Sequence, residues 1–258
     1  MKPIRIITCA VLFLFLFPFY AAAGEITGQQ LARQVFDRDR GMDATSSAQM
    51  VLVNKTGKKR IRHFYSRRIT EEGLERQIIK FTAPADIKGT GFLTIEKPGW
   101  ETEQFLYLPA LRRTRRIVTS QKSHRFVNSD FTYEDMERHP VDNYTYKLTG
   151  SANLGSQDCH ILESRPKPGV ESQYSLIVSY IVKQSFVPVA VEYFNKKGTH
   201  FKTYKVLKLE RIKGIWTEII VSMEDKIKPH TSYLKIEKQE YNTGINKADI
   251  SRKKLETL

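Results

Sequence analysis

Hydrophobic and polar positions alternate over three short runs, residues 88–96, 101–108 and 112–119, separated by Pro-Gly and Pro-Ala turns. A period of two predicts strands, whose successive side chains point to opposite faces. In the middle run Phe105 and Tyr107 share one face and Leu106 and Leu108 the other, so both faces require cover. The next run places Arg113 and Arg115 on one face and Arg112 and Arg116 on the other, so whichever face is concave must accommodate guanidinium groups. A greasy hollow with a cationic rim satisfies both observations.

The same pattern recurs along the chain. Residues 46–54, 58–67, 74–82, 144–149, 159–165, 174–182, 187–194, 199–211, 215–223 and 232–239 read as further strands. The clearest helix is 26–40, where Thr27 and Gln30 form a capping box, Leu31, Ala32, Val35 and Phe36 form an apolar stripe, and Gly41 ends it. Turns such as Asn54-Lys55-Thr56-Gly57 and Asn195-Lys196-Lys197-Gly198 are short, which forces antiparallel neighbours. The expected architecture is mainly β, one long meander with a leading helix. Runs 174–182 and 187–194 are apolar on both parities, so the helix and the polar, aromatic-studded segment 120–142 must cover part of the sheet. That excess fits either a two-layer core or a ligand cavity.

Lys2 and Arg5, an apolar run over 6–20 and Ala21-Ala22-Ala23 read as a secretory signal peptide cleaved after Ala23, leaving 24–258 as one domain. Cys9 lies inside that signal, so no lipid-attachment cysteine is expected. The chain of 258 residues carries 42 Lys and Arg against 28 Asp and Glu, a net charge of +14. Such a balance favours anionic membrane surfaces, lipid head groups or nucleic acid, and export argues against the last. Cys159 is the only cysteine after the signal; it cannot form an internal disulfide and reads as a small buried apolar side chain.

The runs FLYLPALRRTRRI and FVNSDFTYEDM closely resemble the hallmark segment of the LolA-like outer-membrane lipoprotein-sorting protein family. ESQYSLIVSYIVKQSFVPVAVEYFNKKG, DRDRGMDATSSAQMVLVNKTGKKRIR and the closing segment 241–256 resemble it too. The resemblance implies an unclosed antiparallel barrel whose hollow is covered by helices and a lid, and which carries acyl chains across the periplasm. It also implies transient contact with an inner-membrane exporter and an outer-membrane acceptor. Two other roles stay open: an accessory lipid-binding protein of an inner-membrane exporter of the resistance-nodulation-division type, and an envelope sensor that does not transport. A monomer with no cofactor is expected.

Phe92, Phe105, Tyr107 and Leu108 are the expected lining, with Phe126, Phe131 and Tyr133 on a mobile cover. The arginines admit three readings: a solvated sheet edge, an anchor in which Arg113, Arg115 or Arg116 pairs with Asp130, Glu134 or Asp135, or a head-group site. No enzyme motif is present: no nucleophile elbow, metalloprotease helix or phosphate loop. His124, Asp130, Glu134, Asp135 and His139 form the nearest metal constellation, but their spacing matches no standard pattern and a polar lid accounts for all of them.

Overall fold

The computed structural model describes residues 26–99 and 101–257. The expected signal peptide lies outside them. After helix α1 (Gly28–Phe36) come strands β1 (Asp43–Asn54), β2 (Lys59–Glu71), β3 (Leu74–Ala83), β4 (Gly91–Glu96), β5 (Thr102–Leu108) and β6 (Arg113–Ile117). A second series follows: β7 (Tyr144–Leu154), β8 (Gln157–Pro166), β9 (Tyr174–Val182), β10 (Pro188–Asn195), β11 (His200–Ile212), β12 (Ile215–Asp225) and β13 (His230–Tyr241). A short helix, α2 (Arg252–Glu256), closes the chain.

All the strands form one antiparallel sheet in the order β6-β5-β4-β3-β2-β1-β13-β12-β11-β10-β9-β8-β7. The expected single meander is therefore two, joined where β1 pairs with β13, from Ala44 opposite Tyr241 to Asn54 opposite His230. This order makes β6 and β7 the two edges although they follow one another in sequence. Laid flat, thirteen strands would span about 58 Å. Residues 118–143 must cross that distance, and they do so over the inner, concave face of an unclosed half-barrel.

The leading helix, Gly28–Phe36, is shorter than the span of 26–40 expected from the sequence, although it keeps the whole apolar stripe. Its start is as expected, with Thr27 N–H donating to Gln30 at 2.8 Å and Gln30 N–H to the Thr27 hydroxyl at 3.2 Å. It ends at Phe36 because the next residues are claimed by the sheet. Arg38 meets Glu218 at 3.2 Å, Asp39 caps the Gly41 N–H at 2.8 Å, and Arg68 donates to the Arg40 carbonyl. Strand β7 extends past its expected end at Thr149 because residues 150–153 have no hydrophobic alternation yet pair with 158–161 across a turn at Gly155.

The inner face holds a core running from Ile117 on β6 through Phe92, Phe81, Met50 and Leu52 to Met223 on β12. Leu31 and Ala32 of α1 cover Leu162 and Ile181 at the other end. The outer face of β3–β5 has its own cover, where Ile250 and Leu255 of the C-terminal segment, both wholly buried, pack on Ile78, Leu93, Ile95 and Phe105. Asp43 starts that segment on its path by accepting the N–H groups of Thr243 at 2.7 Å and Gly244 at 2.8 Å. Burial alone would raise its carboxyl, but these hydrogen bonds outweigh it and hold Asp43 below the ordinary value. Cys159 is fully buried with Val182, Val187 and Val189, as its setting in the sequence predicts.

Candidate functional site

The strap of residues 118–143 is built around a tight loop in which Phe126 N–H bonds the Phe131 carbonyl at 2.7 Å. Between them Val127 and Asn128 take left-handed φ values of 42° and 59°, strained for a β-branched valine. Arg62 donates to the Val127 carbonyl and holds the loop in that shape. The result is that Phe126, Phe131 and Tyr133 point inward and are buried. Phe126 lies 4.9 Å from Phe92 and 5.8 Å from Tyr133, ring centre to ring centre. Gln104 donates to the Tyr133 carbonyl at 2.7 Å and pins this end of the strap to β5.

This packing divides the expected lining. Phe92, Leu106 and Leu108 face the strap, whereas Phe105 and Tyr107 lie on the outer face among Ile250, Leu255 and Ile245. Arg252 stacks 4.8 Å above the Phe105 ring. Alternation along β5 requires the split. No separate cover for the second face is evident along the chain, so sequence alone places Phe105 and Tyr107 with the hollow. Over β4 and β5 the strap's own aromatics occupy the inner face.

The strap's carboxylates are bound by the far half of the sheet, not by the arginines of β6. Asp135 accepts from Lys202 Nζ at 2.6 Å, the Tyr174 hydroxyl at 2.5 Å and the Thr132 N–H at 2.6 Å. Asp130 bonds His230 at 2.6 Å and Ser232 at 2.7 Å, and Arg125 lies 3.3 Å away. Glu134 accepts from Ser172 and from the Gln173 N–H, the latter at 3.0 Å. The expected pairing of Arg113, Arg115 or Arg116 with these acids is thus corrected. All three arginines are exposed on the edge strand. Arg116 turns outward to Glu101 at 3.2 Å and Glu103 at 3.4 Å, and Arg115 reaches the strap through the Tyr133 hydroxyl. The five residues weighed as a metal constellation have separate partners, with His139 bonded to the Tyr144 hydroxyl at 3.0 Å. Among the described residues no group of three or more His, Cys, Asp or Glu is placed to hold a metal.

The open space lies under α1. A cavity of about 360 Å³ is bounded by Ala32 and Val35 of the helix, by Leu162, Ile177, Ile181 and Val191 of the sheet, and by strap residues 135–141. Tyr144, Tyr146, Tyr193 and Tyr204 add aromatic wall. Burial raises all four phenols, so they stay neutral. Its polar end carries Arg38, Arg40, Arg138 and Glu218. There Glu137 is mostly shielded from solvent, and this desolvation raises its carboxyl to about 7 although Lys122 Nζ lies 2.8 Å away. A larger depression of about 710 Å³ lies between the strap and the loops at 170–173 and 195–197, but its lining is Lys122, Glu171, Gln173, Lys196 and similar polar groups. The more apolar of these two hollows is therefore on the β7–β12 half of the sheet. Arg38, Arg40, Tyr174 and Lys202 were missed as site residues, because their partners lie far away in sequence.

A family model described as "Uncharacterized protein" matches residues 73–257. The crystal structure of a DUF1329 family protein from Desulfovibrio piger superposes with a TM-score of 0.84 at 31% identity, covering 88% of this chain and 97% of that one. The chain belongs to the DUF1329 family. This DUF1329 protein is equally similar in fold to a domain from Vibrio parahaemolyticus assigned to outer membrane lipoprotein sorting, with a TM-score of 0.84, 26% identity, and 89% and 98% of the two chains covered. A LolA superfamily protein from Nitrosomonas europaea shares the fold alone, with a TM-score of 0.70 at 16% identity over 89% of this chain and 99% of its own. The LolA-like resemblance drawn from the sequence agrees with these relatives. No curated protein matches the chain.

Proposed function

We propose that this DUF1329 protein binds the acyl chains of lipids or lipoproteins in the cavity beneath α1 and carries them across the periplasm between membranes. The observation that carries this reading is the cavity itself: about 360 Å³ walled by aliphatic and aromatic side chains and roofed by a helix and a strap. That size falls within the range of about 300–1,000 Å³ usual for small-molecule sites. Each methylene removed from water is worth about 0.8 kcal/mol, so a long acyl chain represents on the order of ten kcal/mol of exposure to hide. A carrier must also release its load, which suits a lining that holds by apolar contact. The role assigned to the Vibrio relative supports the same direction. The protein acts as a binding monomer without chemistry of its own, and meets a donor and an acceptor only in passing.

Delipidated protein should take up one fluorescent fatty acid saturably. Ser179 lies half-buried on the cavity wall, so Ser179→Trp fills the space and should abolish uptake while the melting temperature holds. Wild-type protein that takes up no fatty acid would refute the reading.

A further inference from the structure

The irregular segment between α1 and β1 carries Arg38 and Arg40 to the polar end of the cavity. Arg38 Nη2 meets Glu218 at 3.2 Å and Arg40 Nη1 meets Glu75 at 2.9 Å. Glu75 is shared with the buried Arg68, 3.6 Å away. Three guanidinium groups thus divide two carboxylates, and one positive charge is left over. The other acids around the cavity are committed elsewhere: Asp135 to Lys202, Glu137 to Lys122, and Glu96 to Arg138. Asp37 and Asp39 are exposed, and Asp39 caps the Gly41 N–H. A guanidinium has five N–H donors, yet the described residues give Arg38 and Arg40 one acceptor each, and Arg38 Nε is buried with none. Burial and then the neighbouring Arg40 pull Arg38 below its ordinary value, and Glu218 opposes them only in part. A partly desolvated surplus cation is unfavourable unless an anion joins it.

We propose that Arg38 and Arg40 form a head-group site for an anionic amphiphile, a phosphate monoester or a carboxylate, whose hydrocarbon lies against Leu162, Ile177 and Ile181. The inference rests on the cavity reading above and adds the class of head group. Two arginines side by side suit such oxyanions, which accept paired N–H bonds.

The test compares dodecyl phosphate, dodecanoate and dodecanol, which share one chain length, by displacement of a fluorescent fatty alcohol from delipidated protein. Either anionic probe should bind at least about tenfold tighter than dodecanol, the value of one charge-assisted hydrogen bond. Arg38→Met should bring that ratio to near one. Glu218→Gln removes a competing charge while keeping an acceptor for Tyr204, so it should raise the ratio, and it serves if Arg38→Met does not fold. Equal binding of all three probes overturns the head-group site and leaves the acyl-chain reading standing. Inorganic phosphate binding as tightly as dodecyl phosphate also overturns it, by making the site one for a free anion. Binding of none of the three removes the cavity reading and this inference with it.

Discussion

Replacing Lys202 with methionine keeps most of the side chain's volume and removes the cation that neutralises Asp135. The two side chains are only 4% and 3% exposed, and their contact at 2.6 Å joins the strap to β11. A buried carboxylate stripped of its partner destabilises by about 3–5 kcal/mol. At about 2–4 °C per kcal/mol for a chain of this size, Lys202→Met should melt roughly 6–20 °C lower. Burial raises the Asp135 carboxyl, but the Lys202 charge and the hydrogen bonds outweigh it and hold it below its ordinary value of 3.8. The stability it contributes is therefore present above pH 3.8 and is lost as pH falls through the lower folded value. The gap between wild type and variant should narrow in that acid range. Calorimetry measures the first effect, and hydrogen exchange locates it, with strap amides at 126–137 losing protection while β1–β3 keep theirs. Adding Asp135→Leu should recover part of the loss, since an apolar pair replaces a buried ion pair at little cost. A Lys202→Met variant that melts with wild type and keeps its strap protected would refute the pin.

Further outcomes follow from other contacts. Burial lifts Glu137 from 4.5 to about 7, so the stability it contributes is full below pH 4.5 and is lost as pH rises through about 7. Glu137→Gln should flatten that decline, read as the urea midpoint at a series of pH values. A Cβ at Gly91 would stand 2.6 Å from Leu255 Cδ1 and 3.2 Å from its carbonyl oxygen. Gly91→Ala should therefore lose about 1–3 kcal/mol by overpacking. It should also speed proteolysis of the C-terminal segment, and Leu255→Ala in the same chain should relieve the side-chain clash. Phe126→Ala empties the centre of the aromatic cluster and should cost about 3–5 kcal/mol by chemical denaturation.

The strands were legible because a period of two survives in most of them, and because short apolar runs bounded by turns mark the doubly apolar β5 and β9. Their grouping into two meanders was not, since nothing local marks Tyr241 as the partner of Ala44. The outer cover was hidden for a similar reason: Ile245, Ile250 and Leu255 are too sparse and irregular to announce a packing face. The aromatic strap stood out in sequence, and its residues do face inward. Its anchors did not, because Lys202 lies 67 positions from Asp135 and His230 lies 100 from Asp130. Charge pairs of that separation leave no pattern in a single chain. The cavity moved to the β7–β12 half because Phe126, Phe131 and Tyr133 are large enough to fill the space over β4 and β5.

The most direct test of the acyl-chain reading is mass spectrometry of lipids extracted from protein purified out of its native envelope, beside Ser179→Trp purified in the same way. The account predicts an amphiphile near one per chain in the wild type and only background in the variant. Background in both, from protein that is folded and purified without detergent, would contradict it.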